Sequence, residues 1–211
     1  MKDRVEEQKP LGRIALVFGA LFLVVALTYF FADRQVAEAL RPHFYGVPYF
    51  IWLTYIVKPL TPIASIIAAV VAVRALARRS LTPAESSLLR LCCAILIAGV
   101  LTFELKEIFG RTWPETWVNS NPSYFGNGTY GFFPFHGGQG YASFPSGHMT
   151  AISALAGALW FLWPRLRWLG VALAIAVAVG LLGADYHWLS DIMAGAIVGG
   201  STGVVAARIA R

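Results

Sequence analysis

The sequence predicts an all-α, polytopic membrane protein: a bundle of six transmembrane helices with a long extracytoplasmic loop between the third and the fourth. Three observations lead there. Hydrophobic residues make up 57% of the 211 positions and charged ones only 13%, against roughly 25% charged in a soluble domain. The apolar residues fall in runs long enough to cross a hydrocarbon core of about 30 Å at about 1.5 Å per helical residue. The basic residues gather in alternate connections, as in membrane proteins of fixed orientation. The net charge of +6 therefore reads as basic flanks of membrane spans and not as a nucleic-acid surface.

Taken in order, residues 1–10 are polar, with Lys2, Arg4 and Lys9 among three acids, and residues 11–31 form the first span. A cleavable signal would have a shorter apolar core and a small-residue cleavage site, so this span is expected to remain. In residues 32–58, Arg34, Glu38 and Arg41 alternate with apolar residues while Pro42, Gly46 and Pro48 interrupt them. The apolar piece 49–57 is too short to cross, and an interfacial segment with aromatic anchors is expected. The second span covers 60–76 and ends at Arg78 and Arg79. Thr82-Pro83-Ala84-Glu85 has the form of a helix start, with a capping residue and proline in the first turn. The third span, 86–109, stops at Gly110. The adjacent Cys92 and Cys93 lie inside it and suggest neither a disulfide framework nor a metal site.

Residues 113–144 are rich in Gly, Asn, Pro and aromatics without helical or strand period. A loop of that length is functional or disordered, and its aromatic content favours a folded cap. The fourth, fifth and sixth spans cover 147–163, 168–183 and 189–207. Gly195, Gly199 and Gly203 repeat every four residues in the sixth, which suits close helix packing. With both termini cytoplasmic, the inner segments hold Lys2, Arg4, Lys9, Arg13, Arg74, Arg78, Arg79, Arg90, Arg165, Arg167, Arg208 and Arg211, twelve of the 17 basic residues. Only Arg34, Arg41, Lys58, Lys106 and Arg111 fall outside. The opposite orientation would violate the positive-inside rule.

That topology brings three polar clusters to the outer face: Lys106 with Arg111, Ser146-Gly147-His148, and Asp185 to Asp191. Ser146 is a natural N-cap, and the free N–H groups of the helix behind it attract anions. His187 and Asp191 are four apart, so a carboxylate can hold one imidazole nitrogen and leave the other as nucleophile or base. Each cluster alone also suits a purely structural role, as a cap, a snorkelling cation or a satisfied pair. Their convergence on one face is what points to a site.

Lys106 with Arg111, Pro145-Ser146-Gly147-His148, and His187-Trp188-Leu189-Ser190-Asp191 resemble the three signature motifs of the type 2 phosphatidic acid phosphatase superfamily. This group comprises membrane lipid phosphatases, bacterial acid phosphatases and vanadium haloperoxidases. The resemblance covers roughly residues 100–200, within a single domain expected over 1–211. It implies a phosphohistidine mechanism: His187 attacks phosphorus, Asp191 orients it, and His148 protonates the leaving group and then activates water. Lys106, Arg111, Ser146 and Gly147 would bind the phosphoryl oxygens, with no metal and no cofactor.

Two positions depart from the motifs. Trp113 stands where an arginine before proline is usual, leaving Arg111 as the candidate replacement. Leu181 stands where a second arginine is usual, and Asp185 adds an acid nearby. The expected partners are a lipid phosphate substrate and the bilayer, with no nucleic acid and the oligomeric state open. The chain is expected in a bacterial inner membrane with its site on the periplasmic side. Lipid phosphate monoesters, polyprenyl diphosphates and the phosphorylated sugar of a lipid A-type molecule all fit. A lipid-to-lipid phosphotransferase and an inactive lipid-phosphate-binding protein remain as alternatives.

Overall fold

The computed structural model describes residues 2–117 and 119–209, with side chains from residue 12 onward. The side chains of Lys2, Arg4 and Lys9, and Arg211 as a whole, which enter the charge count above, lie outside the described residues. Among the described residues the chain is all-α, without a strand.

Helix α1 (Lys2–Phe31) carries the first apolar run. The segment expected at an interface forms two short helices, α2 (Asp33–Phe44) and α3 (Pro48–Thr54). α2 separates its polar and apolar faces, as a helix lying along a membrane surface does. α3 continues through one 3₁₀ turn, Tyr55–Val57, towards α4 (Leu60–Arg78). Pro48–Arg78 is therefore one apolar stretch of 31 residues, longer than the span expected at 60–76. Residues 49–57 extend that stretch, and the chain bends where Lys58-Pro59 interrupts the helix.

α5 (Pro83–Phe109) begins with the capping box that Thr82 and Glu85 suggest. The Glu85 amide donates to Thr82 Oγ1 (3.2 Å), and the Thr82 amide donates to Glu85 Oε2 (3.0 Å). It ends at Gly110, whose φ of +56° favours glycine and where a Cβ would collide with the Phe133 carbonyl oxygen. The loop then holds one helical turn, α6 (Tyr124–Asn127), and a 3₁₀ turn at Gln139–Tyr141. The bundle closes with α7 (Gly147–Leu162), α8 (Arg167–Gly183) and α9 (Leu189–Arg208).

Among the described residues, five stretches are long and apolar enough to cross a membrane: Gly12–Phe31, Pro48–Arg78, Pro83–Phe109, Pro164–Gly183 and Leu189–Arg208. The fourth expected span, α7, has only 16 residues, about 24 Å of helix. It is apolar on nearly every side because it is the centre of the bundle, packed by α5, α8 and α9. Its contact with α9 depends on the glycine stripe. A Cβ at Gly195 would sit 2.6 Å from the Ser146 carbonyl oxygen, and one at Gly199 would sit 2.9 Å from Thr150 Cα. α9 thereby presses against the first turns of α7, which brings the second and third polar clusters together.

Candidate active site

The α7 N-terminus, the end of α5 and the segment before α9 meet at a cavity of about 680 Å³. Ser146 caps α7, its hydroxyl oxygen accepting the Met149 amide at 3.4 Å. That cap directs the next residues, Gly147 and His148, into the cavity wall. Lys106 reaches the same wall from the last turn of α5 and donates to the Ala142 carbonyl oxygen. His187 arrives from the turn between α8 and α9. Residues separated by some eighty positions of sequence thus line one space.

The dyad is built differently from the shared helical face its spacing suggests. His187 precedes α9, and Trp188 is the residue at its N-cap. Asp191, in the first turn, reaches back: its Oδ2 accepts the Trp188 amide (3.1 Å) and faces His187 Nδ1 at 3.3 Å. The Ser143 hydroxyl donates to the same oxygen at 2.6 Å. The turn Asp185–Trp188 holds the imidazole outside the helix while the carboxylate caps it. Burial pushes His187 below the ordinary imidazole range, against the pull of Asp191. With Nδ1 turned to Asp191, Nε2 is the nitrogen free of that contact.

Arg111, expected at the phosphoryl group, lies behind the cavity. The residue is fully buried and absent from the cavity wall. One guanidinium nitrogen donates to Ser190 Oγ (2.6 Å) and to Asp191 Oδ1. The other donates to Asp33 Oδ2 at 2.6 Å. Burial opposes the charge, but Asp191 and Asp33 outweigh it and raise its pKa above the ordinary arginine value. The rings of Tyr29, Phe132 and Trp188 lie 4.9 to 5.4 Å from the guanidinium carbon. Two carboxylates behind the site hold the fork away from the cavity, so Arg111 supports Asp191. Ser146, also fully buried, likewise lies outside the wall, with its oxygen committed to the cap.

The two departures from the motifs now have places. Trp113 lines the cavity beside His187, ring centroids 5.0 Å apart, with its indole N–H on the Gln139 carbonyl (2.8 Å). It covers the imidazole with an apolar face where a cation is usual. Leu181 is fully buried in the core with Ile152 and Val177. The charge nearby is arranged otherwise: Arg41 of α2 pairs with Asp185 (3.0 Å) and Glu115 (2.5 Å). Burial lifts the Asp185 carboxyl to about 6 despite Arg41. His136 packs on Tyr141, centroids 4.0 Å apart, and does not reach the cavity wall.

Four contributors escape the sequence patterns. Asp33 bonds the Ser190 amide (2.8 Å) and hydroxyl (2.5 Å) besides Arg111. Ser143 holds Asp191, Arg41 anchors the turn before His187, and Lys58 joins the cavity wall. Only Ser143 stands next to a motif, and none of the four follows a period or spacing. Among the described residues no group of three or more His, Cys, Asp or Glu side chains is placed to hold a metal ion.

The sequence model of the PAP2 superfamily matches residues 87–211. A lipid A 1-phosphatase of Rhizobium etli is 33% identical over 106 residues, 50% of this chain and 43% of that protein. A lipid A 1-phosphatase of Rhizobium johnstonii is 32% identical over 105 residues, 50% of this chain and 40% of that one. The matched part spans about two fifths of the length of these curated relatives. The crystal structure of a transmembrane PAP2-type phosphatidylglycerolphosphate phosphatase from Bacillus subtilis superposes with a TM-score of 0.56 at 17% identity. It covers 91% of this chain and 92% of that one. At that identity the likeness establishes the fold.

Proposed function

Because the chain belongs to the PAP2 superfamily, we propose that it is a membrane lipid phosphatase whose nucleophile is His187. One observation carries the reading: His187, His148, Lys106 and Gly147 line a single cavity, and the Nδ1 of His187 is occupied by Asp191. In the first step His187 Nε2 forms a bond to phosphorus while the bond from phosphorus to the lipid oxygen breaks. His148, protonated as the phosphate anion binds beside it, gives that proton to the lipid oxygen as the lipid leaves. In the second step neutral His148 takes a proton from water, whose oxygen attacks phosphorus and displaces His187 with release of inorganic phosphate. The Lys106 ammonium and the free N–H groups of the first turn of α7 stabilise the charge on the phosphoryl oxygens. Arg111 and Ser146 act behind this set, on Asp191 and on the helix start.

The substrate is a lipid whose phosphate lies at the membrane surface. The names of the two Rhizobium relatives favour a phosphorylated sugar headgroup, and phospholipid monoesters and polyprenyl diphosphates suit the same cavity. The excess of basic residues in alternate connections supports six spans with both ends in the cytoplasm and the cavity on the opposite face. The cavity wall holds lysine but no arginine, which favours a second reading, a protein that binds lipid phosphates without turning them over. Purified protein in detergent, given phosphatidic acid, phosphatidylglycerophosphate, undecaprenyl diphosphate and lipid A, separates the two. Phosphate release that His187→Ala and His148→Ala each abolish is the expected result. Activity surviving in both variants would refute the mechanism, and none in the parent across the panel would favour the binding protein.

A further inference from the structure

The cavity holds a second cation that the phosphatase motifs do not include. Lys58 sits at the break between the 3₁₀ turn after α3 and α4, where Pro59 interrupts the helix. It is exposed, and its ammonium stands 3.2 Å over the Tyr55 ring. Among the described residues no carboxylate lies within ion-pair distance of Lys58 or of Lys106. Two lysines therefore line one cavity with no carboxylate in ion-pair contact, Asp191 acting on Lys106 only from farther off. They differ in depth: Lys106 is partly buried and bonded to the loop, whereas Lys58 is exposed, in a wall that also holds Trp117 and Tyr186. The volume, about 680 Å³, is that of a site for a whole headgroup and not for one phosphoryl group.

We propose that Lys58 binds a second phosphate carried on the substrate's headgroup, while Lys106 holds the phosphate being cleaved. This rests on the phosphatase reading and adds to it a substrate class: lipids with two phosphates within reach of one cavity, in preference to simple phosphate monoesters. An exposed ammonium suits that task. It recognises phosphate as a point charge on a flexible stem, and Tyr55 steadies it when the site is empty. The second phosphate belongs either to a diphosphate or to a separate position on the headgroup, and the substrates of the test distinguish these.

The test compares kcat/KM for phosphatidic acid, undecaprenyl diphosphate and phosphatidylglycerophosphate in the parent, Lys58→Gln and Lys58→Arg. Lys58→Gln is expected to reduce the preference for a two-phosphate lipid over phosphatidic acid about tenfold, mainly through KM, and Lys58→Arg to restore most of it. Loss on undecaprenyl diphosphate alone would identify the diphosphate, and loss on phosphatidylglycerophosphate alone the separate phosphate. An equal loss on all three substrates would assign Lys58 to the reacting phosphoryl group and overturn the proposal. No loss would overturn it as well. A calorimetric arm is independent of turnover: at least one of pyrophosphate and glycerol 1,3-bisphosphate should bind the parent more tightly than orthophosphate, and Lys58→Gln should remove that preference. If the parent hydrolyses nothing yet shows this preference, the phosphatase reading fails and the Lys58 assignment stands. If the preference is missing or survives in Lys58→Gln, the assignment fails.

Discussion

At the scale of single residues, the site rests on a buried relay behind the cavity. Asp33, Arg111 and Asp191 are each fully or almost fully buried, and one guanidinium serves both carboxylates. Removing one partner of a buried ion pair typically costs about 3–5 kcal/mol, because the other charge is left without compensation. Arg111→Ala should therefore destabilise the protein by about that amount and reduce activity with it, as thermal unfolding in detergent would show. A phosphoryl clamp would behave otherwise, with activity lost at unchanged stability. Asp185 gives a prediction in pH. Its carboxyl is raised from 3.8 to about 6, chiefly by burial, so between those values the folded state binds more protons than the unfolded one. Its contribution to stability is complete below the ordinary carboxyl pKa and is lost as pH rises through about 6. Asp185→Asn, which suits the φ of +54° at this position, should abolish that dependence: the stability difference between parent and variant shifts in favour of the variant across pH 4 to 7. A difference that does not change with pH would contradict the assignment.

At the scale of elements, the helices that carry chemistry were legible because their signals are local. The Thr82 cap, the Gly110 stop and the Ser146 cap each depend on residues within one turn of each other. So does the pairing of His187 with Asp191, although the imidazole lies ahead of the helix and not on its face. The contributors from α2 were not legible, because Asp33 and Arg41 act on residues 157 and 144 positions away, and no local spacing records such a contact. The partners of Arg111 were not legible for the same reason: nothing near it in sequence shows the two carboxylates it bonds. The glycine stripe of α9 was legible by its period, and its neighbours now separate packing from permissiveness. Gly199 leaves no room for a Cβ against Thr150, whereas a Cβ at Gly200 meets nothing within 4 Å. Gly199→Leu should push α9 off α7 and abolish activity together with thermal stability. Gly200→Ala should keep both and gain up to about 1 kcal/mol from its helix propensity. Equal tolerance at the two positions would show that the stripe does not set the spacing.

At the scale of the whole molecule, a membrane bundle and a polar, charged site place opposite demands on the same helices. The outer surfaces of α1, α4 and α8 are apolar and exposed, at Phe22, Leu76 and Trp168 among others, as lipid contact requires. Polar groups are drawn to one end, where the loop after α5 closes over them. The Phe133 amide donates to the Gly110 carbonyl oxygen (2.7 Å) and the Ser143 amide to that of Arg111 (3.1 Å), which fixes this loop on the bundle. α7, at 16 residues, is not among the stretches long enough to cross, yet its position among α5, α8 and α9 makes it the axis of the site. The central claim, that His187 carries the phosphoryl group, is open to direct observation. Protein mixed with a ³²P-labelled lipid phosphate, quenched in alkali within the first turnover and digested, should yield a phosphopeptide that contains residue 187. That label should be stable to base and labile to acid, absent in His187→Ala, and longer-lived in His148→Ala wherever labelling still occurs. Label retained in His187→Ala, or turnover in the parent without any phosphoenzyme, would contradict the account.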